Sequence, residues 1–131
     1  MKNGNKVRIA LFLAAIVASS AFSFRVSADD SKEDVIKQVM KDFHKAPKGT
    51  DPVCKKALDG KASPEELKKL IAGYKAMIAA KPPKGDEASW KEKTTKLCAA
   101  AQGLEKGGAE AQAKYKAAVD CKGCHSVHKP N

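Results

Sequence analysis

The apolar residues Val35, Ile36, Val39, Met40 and Phe43 fall at steps of three and four, and the same step returns at Leu67, Leu70, Ile71, Tyr74, Met77 and Ile78. At no point do apolar and polar residues alternate over the length of a strand. Side chains spaced in this way share one face only on a helix, so the pattern predicts an all-helical domain.

Proline and glycine cut the pattern into four segments. The first runs from about Ser31 to His44, with Ser31 as its cap and Asp34 in the capping-box position. Pro47, Gly49 and Pro52 end it, and Pro52 to Leu58 forms a short continuation. The second opens on Ser63 as cap, Pro64 at the first helical position and Glu65 and Glu66 in the first turn, where the helix dipole favours negative charge. Pro82 and Pro83 stop it. The third begins near Asp86, turns Trp90, Leu97, Cys98 and Ala101 inward, and breaks at Gly107 and Gly108. The fourth spans Ala109 to about Val127. Short connections between four helices of similar length predict an antiparallel up-down-up-down four-helix bundle.

Residues 1–28 read as a secretory signal peptide. Lys2, Lys6 and Arg8 precede an apolar run from Ile9 to Phe22, and Val26, Ser27 and Ala28 form a small-residue cleavage site. A membrane span needs about 20 apolar residues. Ser19, Ser20, Ser23 and Arg25 cut this run short, so no stable membrane insertion is expected after cleavage. Export places residues 29–131 in an oxidising compartment, the periplasm, as one small domain.

Removing 28 of the 131 residues leaves 103, with 21 lysines, 15 acids and no arginine. A nucleic-acid protein of this charge would use arginine for bidentate phosphate and base contacts, so nucleic acid is not expected as a partner. The lysines suit a solvated surface or a docking face for an acidic protein. The only aromatics past the leader are Phe43, Tyr74, Trp90 and Tyr115. A core of alanine and a few aliphatics is thin for this length, and an apolar cofactor between the helices would supply the missing volume.

The chain ends in Asp120-Cys121-Lys122-Gly123-Cys124-His125 and six further residues. Two cysteines at this spacing fit a redox dithiol, half of a zinc site or, with the histidine directly after them, a covalent haem anchor. A redox dithiol is expected at the start of a helix in a strand-helix-strand setting, whereas here the pair reads as ending a helix in an all-helical chain. A zinc site wants a second ligand pair at fixed spacing, and Cys54 and Cys98 are isolated from one another. In a haem anchor the thiols of Cys121 and Cys124 add to the porphyrin vinyl groups and His125 binds the iron, which requires all three residues.

A four-helix chain with this motif in its last helix resembles the class II c-type cytochromes, the group of cytochrome c′ and its methionine-ligated low-spin relatives. The likeness is residue-specific at Cys121, Cys124, His125 and the trailing Lys129. It implies one haem c lying between the helices near one end of the bundle, with His125 as proximal iron ligand and a first-helix residue facing the sixth position. Met40 is the best match for that residue, and a thioether there favours low-spin iron and a raised potential. His44, one turn on, is its rival, although its place near the helix end suggests exposure. His128 reads as a frayed surface residue at the chain end. The family's long first helix is interrupted here by Pro47 and Pro52. A homodimer is one assembly the resemblance implies.

The expected function is therefore a periplasmic one-electron carrier. The alternative is a five-coordinate haem protein that binds nitric oxide or carbon monoxide, as cytochrome c′ does. No nucleophile, carboxylate pair or phosphate loop stands out, so catalysis is not expected. Cys54 and Cys98 remain, and in an oxidising compartment such a pair invites a disulfide, expected at the bundle end away from the haem.

Overall fold

The computed structural model describes residues 30–131, with side-chain surroundings from Val35 onward, so the leader over residues 1–28 lies outside the described residues. The domain is all-α. Six helices follow in order, α1 Asp30–Phe43, α2 Val53–Leu58, α3 Pro64–Ala79, α4 Glu87–Leu104, α5 Ala109–Ala118 and α6 Cys121–His128, and no strand occurs among the described residues.

Each boundary has a local cause. The first helix already begins at Asp30, so Ser31 falls inside it rather than at its cap, and the Ser31 and Asp34 side chains lie outside the described residues. At α3 the capping box is complete: the Glu66 amide donates to Ser63 Oγ at 3.1 Å and the Ser63 amide to Glu66 Oε2 at 2.9 Å. Asp86 caps α4 by accepting from the Ser89 amide at 2.8 Å.

The fourth segment is not one helix. It breaks at Val119 and Asp120, where the Asp120 carboxylate accepts from the Gly123 amide at 2.8 Å and opens α6. That carboxylate occupies the space a Cβ would need at residue 123, so a larger residue there would displace the Asp120 cap.

Helices α3 and α4 form an antiparallel hairpin. At one end Trp90 Nε1 donates to the carbonyls of Met77 and Ala80, both at 3.0 Å, and at the other Leu67 and Leu104 border a small cavity of about 290 Å³. The core is Ile36, Val39, Leu70, Ile71, Tyr74, Met77, Trp90, Cys98, Ala101 and Tyr115, so α1 and α5 close over the hairpin. Gly73 lets α1 approach closely, since a Cβ there would stand 2.8 Å from the Phe43 ring. After α1 the turns at Pro47, Gly49 and Pro52 fold the chain back, and α2 packs on α3 and α5.

This return corrects the placement of Cys54. It lines the same cavity as Cys121 and Cys124, not the opposite end, and all four cysteines are unpaired, so no Cys54–Cys98 bridge forms.

The α3–α4 connection holds Gly85 at φ +85°, and a Cβ there would meet His128 Nδ1 and the Val127 carbonyl, both at 2.9 Å. Gly85→Ala is expected to destabilise the protein by about 1–3 kcal/mol through backbone strain and overpacking. Urea unfolding should show a lower midpoint with an unchanged slope.

Candidate functional site

The last residues of α6 fix the motif in place. His128, taken from sequence as a frayed surface residue, is instead 2% exposed. A carbonyl only accepts, so His128 Nδ1–H donates to the Lys84 carbonyl at 2.9 Å, which leaves Nε2 to pair with the Ser89 hydroxyl at 3.2 Å. Its ring meets the indole of Trp90 edge-on, with centroids 5.4 Å apart at 75°. Helix α6 is thereby tied to the α3–α4 end of the domain.

The motif consequently starts a helix rather than ending one. Asp120 is the cap, Cys121 the first helical residue and Cys124 one turn on. Cys121 is exposed and Cys124 half-buried, with burial raising the Cys124 thiol above its ordinary value. His125 is solvent-accessible at the cavity wall.

Cys121, Cys124 and His125 share a cavity of about 610 Å³ with Met40 and His44 at the end of α1 and Leu97 on α4. Its other borders come from the end of α3 at Met77, the first half of α4 and the end of α5. This volume lies within the roughly 300–1,000 Å³ usual for small-molecule and cofactor sites. All four residues singled out for cofactor binding, Cys121, Cys124, His125 and Met40, are thus brought to one place.

His44 is there as well, half-buried rather than exposed. Its Nε2 lies 3.1 Å from the Tyr74 hydroxyl, which in turn pairs with the Tyr115 hydroxyl at 2.9 Å. Tyr74 and Tyr115 are both fully buried. Desolvation raises both phenols and holds them neutral. The same cause, assisted by the nearby charge of His125, lowers His44 to about 4.

Sequence reasoning missed Cys54, Tyr74, Tyr115 and the anchoring part played by His128. The scarcity of aromatics was a signal for the tyrosines, because a domain with so few places each where it joins elements. Nothing in the spacing of Cys54 pointed to the cavity.

The residues suit a haem better than a protein-bound metal ion. Among the described residues no three His, Cys, Asp or Glu side chains converge as a metal-holding group. A haem iron takes four ligands from its porphyrin and asks the protein for only one or two. Two thiols a helical turn apart beside an imidazole, on an otherwise largely apolar wall, match that demand. Compared with known proteins, the chain matches no family, no curated sequence and no solved structure.

Two outcomes follow from the histidines. The folded chain keeps His44 neutral down to about 4 against 6.5 for the free group, so protons bind the unfolded chain more readily between those values. Stability of the folded chain should be complete above the upper value and fall by roughly 3 kcal/mol as pH drops to the lower one. His44→Gln should flatten this slope in urea titrations. His128→Leu strands the Lys84 carbonyl and the Ser89 hydroxyl, and should cost about 1–3 kcal/mol in the same assay.

Proposed function

We propose that this chain is an exported c-type cytochrome of the periplasm, a one-electron carrier with a single covalent haem c. The observation that carries the reading is the convergence of Cys121, Cys124 and His125 with Met40 of α1 and His44 just after it on one cavity. In this reading α1, α3, α4 and the broken pair α5–α6 make an up-down-up-down four-helix bundle, with the haem near the end where α3 joins α4.

Cys121 and Cys124 would hold the porphyrin through thioethers, His125 would bind the iron, and Met40 would supply the second axial donor. When bound, the haem supplies one-electron chemistry, and a thioether on the iron raises its potential. The residues around it contribute binding and shielding. Met77, Leu97 and Val119 border the cavity with apolar surface, which would suit the face of a porphyrin. Electron transfer needs no nucleophile or acid-base pair, so the chain is read as a carrier and not an enzyme.

The lysines give the carrier its partner. Lys93 and Lys96 stand at the cavity wall, and the chain's surplus of lysine extends over the surface. An acidic redox protein would be steered to such a face, in an encounter that is weak and sensitive to salt.

Protein made in a host competent for cytochrome maturation should carry the mass of one haem, lost in the Cys121→Ser, Cys124→Ser double variant. Its reduced spectrum should be six-coordinate and low-spin. The bare polypeptide mass would overturn the reading. Five-coordinate high-spin ferrous iron that takes up carbon monoxide would point to gas binding instead of electron transfer.

A further inference from the structure

Two side chains of different chemistry compete for one position. Met40 and His44 stand one helical turn apart, the His44 amide bonded to the Met40 carbonyl at 3.1 Å, and both border the cavity of the motif. Neighbours at this spacing have β-carbons about 5–6 Å apart. Met40 reaches through three rotatable bonds. His44 lies just past the last residue of α1.

The surroundings of His44 are those of a metal-bound imidazole. Histidine ligands usually donate their second ring N–H to an acceptor that fixes the ring. His44 already pairs Nε2 with buried Tyr74, itself anchored by buried Tyr115, while no hydrogen bond to Nδ1 occurs among the described residues. In the tautomer that donates Nε2–H to Tyr74, Nδ1 carries the lone pair that a metal would take. Met40 has no comparable support, and a thioether needs none.

Resting on the haem reading above, we propose that His44 is a second endogenous donor to the iron, so that Met40 holds it in the reduced protein and His44 in the oxidised protein. The argument is one of linkage. A thioether raises the potential relative to imidazole, which means that it favours ferrous over ferric iron. By reciprocity, oxidation shifts the balance from thioether to imidazole. Each tenfold of that preference moves the midpoint by about 59 mV. On oxidation, with one electron passed to the acceptor protein, His44 would take the place that Met40 would hold in the reduced protein. No covalent bond or proton changes hands.

Spectroscopy and redox titration of the haem-loaded protein test this. The oxidised wild type should show the paramagnetic resonance of a two-imidazole low-spin haem and lack the thioether-to-iron charge-transfer band. The reduced protein should show the strongly shifted methyl resonance of a bound methionine. His44→Ala should gain the thioether band on oxidation and raise the midpoint. Met40→Ala should keep the oxidised spectrum, lose the methyl resonance and lower the midpoint. Tyr74→Phe, which retains both donors, should shift the midpoint as His44→Ala does but less. A thioether band in the oxidised wild type, or an oxidised spectrum unchanged by His44→Ala, overturns the inference while leaving the cytochrome reading intact. A bare polypeptide mass defeats both.

Discussion

Trp90 is the joint on which the site depends. Its indole N–H is shared by the Met77 and Ala80 carbonyls, which closes the α3–α4 hairpin at one end, and its ring packs against His128 from α6. A buried indole N–H without an acceptor costs a full desolvation penalty, so the end of α3 must present those carbonyls where α4 begins. Once that corner is set, Lys84 and Ser89 lie where His128 can bond both. Helix α6 then has one position, and the motif goes with it.

The same economy runs through the interior. Beyond the leader the chain has four aromatic residues, and each joins elements rather than filling one. Phe43 rests where Gly73 has no side chain, Trp90 joins α3, α4 and α6, and Tyr74 and Tyr115 pair their hydroxyls between α3 and α5 and extend the bond to His44. A polar tip on an apolar body lets one side chain contribute burial and direction together. The cavity is the counterpart of this arrangement. With small residues over much of the interior, the helices leave a space that alanine does not fill and that a large planar apolar group would complete.

Asp120 shows how a short polar contact redirects a helix. Alanine-rich sequence from Ala109 onward favours a continuous helix, but the carboxylate of Asp120 competes for the Gly123 amide and wins, because glycine at that position leaves room for it. The consequence is chemical. The two thiols are presented from the first turn of a new helix, at an angle the preceding helix does not dictate, with His125 directly after them.

Most of the helices were legible in the residues, though not the start of α1 or the break between α5 and α6. Steps of three and four, Ser63 with Pro64 and Glu66, Asp86, and the glycine pair at 107 and 108 act within one turn of chain, and local forces decide them. The motif was legible for the same reason, since Cys121, Cys124 and His125 are neighbours on one turn. What lay beyond reach was every property that depends on who stands across the gap. His128 and His44 have unremarkable neighbours in sequence, yet one is buried by Trp90, Ser89 and Lys84, and the other is drawn inward by Tyr74 thirty residues away. Cys54 reached the cavity only because the chain turns back after α1. Spacing along the chain determined which segments are helical and that Cys121, Cys124 and His125 share one turn; tertiary packing alone decided which side chains share their cavity, because burial and hydrogen bonding between distant elements are set by how the helices meet and not by any one of them.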